Sequence, residues 1–246
     1  MAIVIEEPFS GFPGVVQGGY LGGVLARALG GSVEVTYRKP AAIGQALELE
    51  RADGKAALRA EGAVVAEAAP ARVDLELPAP VDLEEARAAS ARYPGHGWHP
   101  FPLCFCCGPG RGSDGLRIFT GPVRGRELMA AVWTPEERFA EDGAAPVEVV
   151  WAALDCPAIW GLALRTAPGS PEKIVSGRIA AEIRGRIEAG RPHLVLAWPL
   201  GAEGRKLFCA AAIFDERGEP LAVARQTCIV TEQGVPLGRW GLKPTV

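Results

Sequence analysis

The chain has no asparagine and, in 246 residues, only three histidines, three tyrosines and two methionines. Positive charge is not in excess: the formal net charge is -3. That excludes the basic stripe a nucleic-acid binder needs, although a local arginine cluster can still meet a small polyanion. There is no GxxxxGK[ST] loop to cradle phosphates and no GxSxG nucleophile elbow. With histidine only at 96, 99 and 193, a Ser-His-Asp or Cys-His triad has little to draw on. No apolar run reads as long enough to span a bilayer. The start, MAIVIEEPF, lacks the basic region and cleavage site of a signal peptide. A cytoplasmic protein is therefore expected, with its six cysteines as reduced thiols. The absence of asparagine fits either GC-rich coding or selection against a heat-labile side chain.

What is present reads as an ordinary folded chain, 48% hydrophobic and 22% charged. It divides into two unequal halves with the same grammar. In the first, QGGYLGGVLARALGG predicts a helix of about three turns that stops at Gly30–Gly31. Gly18, Gly22 and Ala26 fall on one stripe of it, Gly19 and Gly23 on the next. Each interior glycine costs about 1 kcal/mol relative to alanine, so close packing against another element is expected. Strand-like runs SVEVTYRK, ALELER, KAALRAE and AVVAEA follow, with turns at Asp53–Gly54 and Glu61–Gly62. Residues 79–103, rich in proline around a short acidic helix, read as a connector. The second half starts at CFCCGPGRGSDGLRIF, and DGLRIFTGPV and ELMAAVW read as strands. A second helix is expected from Pro146 through PVEVVWAALDCPAIWGLAL, kinked at Pro157. KIVSGRIAAEIRGRI, HLVLAWPL, KLFCAAAIF and PLAVARQTCIV then supply four long strands. The fold class is α+β: residues 1–78 and 104–246 each form a helix followed by antiparallel strands, joined by 79–103.

Few polar residues interrupt the apolar faces. Asp155 has Trp151, Ala152, Ala158 and Ile159 as its neighbours on the second helix. A carboxylate there is either buried with a partner or aimed into a site. In the alternating strand PLAVARQTCIV, Gln226 shares a face with Ala222, Ala224, Cys228 and Val230, so it turns toward the core or a ligand. Ser176 shares its strand face with Arg178 and Glu182, which makes that face wet. The Gly18–Gly19 pair offers unsatisfied N–H groups at a helix start, with Gln17 just before it. His96, His99, Cys104 and Cys107 form H-x2-H-x4-C-x2-C, a zinc-type ligand set by residue type with Pro100 and Pro102 inside it.

CFCCGPGRGSDGLRIF resembles the opening motif of hotdog-fold thioesterases, and PVEVVWAALDCP resembles their central helix, with Asp155 at the place of the catalytic acid. QGGYLGGVLARAL resembles the same helix, with Gln17 at the family's histidine and Ala26 where the acid would stand. This pairing resembles the tandem arrangement of acyl-CoA thioesterase II, in which Asp155, Ser176 and Gln226 match an acid, a hydroxyl and a glutamine in order. The resemblance implies a double hotdog, two antiparallel sheets each wrapping a helix and joined edge to edge. It implies hydrolysis of acyl-CoA thioesters at one composite site. There the thioester carbonyl would lie on the N–H groups of Gly19 and Tyr20 beside Gln17 and Gly18. Asp155 would activate water or attack directly, and Gln226 and Ser176 would hold the water and the carboxylate. No cofactor is implied beyond the CoA thioester as substrate. Arg178 and Arg184 are the candidates for its phosphates. Neither nucleic acid nor a membrane is an expected partner, and a homo-oligomer of such units, such as a dimer, is compatible. The CxxC then reads as part of a structural motif, so no metal and no obligatory disulfide are expected at Cys104 and Cys107. The chain departs from the family where Arg111–Gly112 replaces the usual Asn-Pro and where the second helix begins Pro146–Val147 rather than Gly-Gly. A hotdog hydratase or dehydratase and a non-catalytic acyl- or CoA-binding protein are the alternatives.

Overall fold

The computed structural model describes residues 2–232 and 234–239. In its first half, β1 (Ala2–Val4) is followed by α1 (Gly18–Leu29) and strands β2 (Val33–Tyr37), β3 (Ala46–Ala52), β4 (Lys55–Ala60) and β5 (Ala63–Pro70). After α2 (Leu83–Ser90) the second half holds β6 (Gly121–Pro122), β7 (Met129–Trp133), α3 (Val147–Gly161), β8 (Lys173–Ile183), β9 (His193–Glu203), β10 (Lys206–Phe214), β11 (Pro220–Thr231) and β12 (Val235–Pro236). Both long helices and the four long C-terminal strands stand where hydrophobic periodicity puts them.

The strands form one twelve-stranded sheet in the order β1-β3-β4-β5-β2-β8-β11-β10-β9-β7-β6, with β12 beside β8. Its paired strands are all antiparallel. The halves meet at the β2–β8 ladder, Val33 opposite Ala181 through Thr36 opposite Arg178, so the sheet is continuous rather than split in two. α1 and α3 pack against each other and against the same face of this sheet.

The halves differ in what covers the other face. In the first half, β4 alternates buried residues with exposed or half-buried ones, as a strand with one wet face must. In the second half, Val73 and, from the connector, Val81, Ala86 and Ala89 form a separate apolar cluster with Ala180, Leu194, Leu196, Ala210, Ala212 and Val223. The connector is thus the cover of the sheet's outer face, and it explains the near-continuous apolar runs of β9 and β10.

α3 is apolar all round because it lies between the sheet and α1: all but three of its fifteen residues are buried. Contrary to the sequence-based expectation, Val147–Arg165 is long and apolar enough by composition to cross a membrane, yet 72% of that stretch is buried within the protein. The helix continues through Pro157. DGLRIFTGPV is not a strand except at Gly121–Pro122. Its amides go instead to the cysteine turn, Leu116 N–H to Phe105 O at 2.7 Å and Ile118 N–H to Cys106 O at 2.9 Å.

Glycines set the distance between the helices. A Cβ on Gly19 would lie 2.4 Å from Trp151 O, and one on Gly23 would lie 2.4 Å from Glu148 Cα. The element expected to face the α1 glycine stripe is therefore the backbone of α3.

Candidate functional site

The close approach of the helices brings Asp155 to the first turn of α1. Its carboxylate is 4% exposed and meets only donors. Oδ2 accepts from Gln17 Nε2 at 2.7 Å and from Gly19 N at 2.8 Å; Oδ1 accepts from Gln226 Nε2 at 2.9 Å. Gln226 uses its second N–H on Ser176 Oγ at 2.8 Å. The five residues lie on α1 and its N-cap, α3, β8 and β11, and the sheet order and the helix contact bring them together. Burial pushes the Asp155 carboxyl up to about 6, against the opposing pull of the Gly19 amide and Gln226.

Ser176 reaches this site because β8 is not a regular strand. Thr227 pairs with Arg178 but Cys228 pairs with Ser176, so Gly177 is a bulge. The bulge resets the alternation. Ile174 lies on the helix side before it, and Ile179 and Ala181 lie there after it. Ser176 therefore faces the helices while Arg178 turns outward and pairs with Glu34 at 3.2 Å. Arg184 pairs with Glu182, also at 3.2 Å. Neither arginine lines the cavity described below; Arg38 and Lys39, which the sequence reading did not select, do.

The amides expected to bind a carbonyl are already engaged. Gln17 N donates to Phe9 O, Gly19 N to Asp155, Tyr20 N to the Gln17 side chain at 2.6 Å, and Leu21 N to Gln17 O. Gly19 and Tyr20 are therefore both engaged. Gln17 caps the helix with its Oε1 and gives its Nε2 to Asp155, so its length lets one side chain do both. Gly18 N has no such acceptor among the described residues, and Gly18 lines the cavity.

The cavity has a volume of about 460 Å³ and is mostly apolar. Asp155 and Ser176 are on its wall, with Leu21, Phe101, Ile159 and Trp160. Gln226 is not; it stands behind, holding Asp155 and Ser176.

The cysteines and histidines regroup. Cys104, Cys107 and Cys156 place their sulfurs within 4.8 Å of one another, and all three line the cavity. Cys156 was not singled out in the sequence because it is far from the CxxC in the chain. Hydrogen bonds from the Cys107 and then the Cys156 thiol hold Cys104 well below its ordinary range, with help from the amides of Cys107 and Cys106. His99 sets its Nε2 3.3 Å from Cys107 Sγ, and burial lowers it to about 4, so it is neutral. His96 stands apart from the thiols, edge-on to Tyr93 and Phe119.

No family model matches this chain, and no curated protein matches it. Solved structures are similar over nearly its whole length. The tesB protein of Mycobacterium avium subsp. paratuberculosis has a TM-score of 0.58 at 13% identity, covering 92% of this chain and 91% of that one. A candidate thioesterase II from Thermobifida fusca has a TM-score of 0.59 at 18% identity, covering 94% and 91%. A conserved protein of unknown function with a hot dog fold, from Alicyclobacillus acidocaldarius, has a TM-score of 0.56 at 12% identity, covering 91% and 90%. The fold of this chain is that of the thioesterase II-like hotdog proteins.

Proposed function

We propose that the chain is two hotdog units in tandem and that it hydrolyses acyl-CoA thioesters at a single composite site, with Asp155 as the catalytic carboxylate. The observation that carries this is the carboxylate itself: buried, surrounded by N–H donors, and set on the wall of an apolar cavity where two helices meet. Asp155 takes a proton from a water as that water attacks the thioester carbonyl, and the Ser176 hydroxyl beside it helps to hold that water. Gln226 acts through the other two by fixing their positions. The carbonyl oxygen lies on the Gly18 amide, the one first-turn N–H that is left for it, at the positive end of α1. The acyl chain occupies the cavity between the helices, and Arg38 and Lys39 at its edge meet the CoA phosphates.

A hydratase would pair the acid with a histidine. His99 shares the cavity, but its ring nitrogens face Cys107 Sγ and the Phe101 amide, which favours hydrolysis. The test is a panel of acyl-CoA esters with thiol detection, run on the parent and on Asp155→Asn. Asparagine fits: if Gln226 turns its amide over, Oε1 accepts from the new Nδ2 and from Ser176, while the remaining Oδ1 keeps Gln17 and Gly19. Asp155→Asn should fold normally and lose at least about a hundredfold in turnover, as expected when acid–base assistance is removed. Near-parental turnover in that variant would falsify the mechanism. Stabilisation by CoA with no turnover of any ester would make the chain a binder.

A further inference from the structure

We propose that Cys104, Cys107 and Cys156 form a thiolate-held zinc site, in which the turn after the connector is fastened to α3 at the residue next to Asp155. Two segments deliver the three ligands. Cys104 and Cys107 come from a tight turn in which Gly108 N–H bonds Cys104 O at 2.9 Å. A Cβ on Gly108 would lie 2.5 Å from both Cys104 N and Pro102 O, so only glycine closes that turn. Cys156 comes from α3.

The spacing suits the metal. Zinc–sulfur bonds of about 2.3 Å place tetrahedral sulfur ligands about 3.8 Å apart. Cys104 Sγ and Cys156 Sγ are 3.7 Å apart, and all three sulfurs lie within 4.8 Å. The surrounding donors suit thiolates rather than packed thiols. Gln17 Nε2 is directed at Cys156 Sγ at 3.5 Å. His99 Nδ1 accepts the Phe101 amide at 3.0 Å, which leaves the proton on Nε2, 3.3 Å from Cys107 Sγ. His99 is therefore an N–H donor to a ligand sulfur, the outer partner that metal-bound thiolates take up, and not itself a ligand. Neither histidine of the H-x2-H-x4-C-x2-C pattern binds the ion; the third ligand comes from the helix. The fourth position opens on the cavity that all three cysteines line, where water completes the tetrahedron. Binding releases the thiol protons to solvent. The expectation drawn from the resemblance, that Cys104 and Cys107 carry no metal, did not consider Cys156.

Metal binding here stands apart from thioester hydrolysis and is read without it. Protein purified under reducing conditions without chelator or metal-affinity tag should contain about one zinc per chain by plasma mass spectrometry. Chelator-treated, reduced protein should take up one equivalent of Co2+ and show thiolate-to-cobalt charge-transfer absorption. Cys156→Ser should weaken Co2+ binding by more than about a hundredfold, beyond the roughly 10–100-fold typical of losing an outer partner. Cys209→Ala, in the sheet core, should leave it unchanged. Should Cys156→Ser fail to fold, Zn2+ protection of the three thiols from alkylation, mapped on the parent by peptide mass, gives the same answer. Substoichiometric zinc after titration, a cobalt spectrum without charge transfer, alkylation unaffected by Zn2+, or a Cys104–Cys156 disulfide in the purified protein overturns the site.

Discussion

Gly23→Ala puts two well-measured effects in opposition. In an exposed helix the change would stabilise by about 1 kcal/mol through helix propensity. At this position the new Cβ would lie 2.4 Å from Glu148 Cα, 3.0 Å from Glu148 N and 3.1 Å from Val147 O. All three are backbone atoms, so no side-chain rotation relieves the overlap. Restoring an ordinary carbon–carbon contact of about 3.5 Å means moving α1 and α3 apart by about 1 Å. Overpacking of this kind typically costs about 1–3 kcal/mol. The same displacement reaches Gly19, one turn earlier, whose 2.8 Å bond to Asp155 Oδ2 would lengthen beyond hydrogen-bonding range. A buried bond to a charged acceptor is worth about 1.5–3 kcal/mol. Set against the propensity gain, the net loss is roughly 1.5–5 kcal/mol, on the order of 10 °C in Tm for a chain of this size. Differential scanning calorimetry of parent and variant measures it, and thioester turnover should fall with it because Asp155 loses a partner. A Tm equal to or above the parent's would show that the helices are not in backbone contact and that the glycine stripe has another cause.

The remaining predictions probe the site and its supports. In chelator-treated protein, kcat/KM for thioester hydrolysis should fall as pH drops through about 6, because a base must be ionised and burial raises Asp155 to about 6; an acidic limb near 4 would put that carboxylate in water. Gln226→Leu removes the donor on Asp155 Oδ1, so the acidic limb should move to higher pH while the protein stays folded; an unmoved limb would leave Gln226 a packing residue. Arg111→Met should destabilise by about 2–4 kcal/mol in urea titrations, since Arg111 is buried and ties Leu103 O, Ser10 Oγ and Asp114 together; a change under about 0.5 kcal/mol would mean these bonds are exchanged for water.

Local pattern was sufficient for much of this protein. Helical and alternating periodicities are properties of short windows, and they located α1, α3 and the strands from β2 to β5 and β8 to β11. The same logic picked out Asp155 and Gln226, since a polar side chain on an otherwise apolar face is conspicuous wherever it ends up. Gly18–Gly19 stood out for the same kind of reason. Tertiary structure decided which of these residues touch. The Gly19–Asp155 bond joins residues 136 apart in the chain, and no window contains both. Only the packed helices show that Asp155 consumes the Gly19 amide. A single bulge at Gly177 turned Ser176 inward and Arg178 outward, against strict alternation, because a glycine bulge leaves no periodic trace. DGLRIF has a strand's composition, yet its amides found the cysteine turn before any sheet. Cys156 looked like one more small apolar residue of a buried helix. Sequence fixes which residues face inward because burial acts on each residue alone; which of them meet depends on register and helix approach, and those belong to the whole fold.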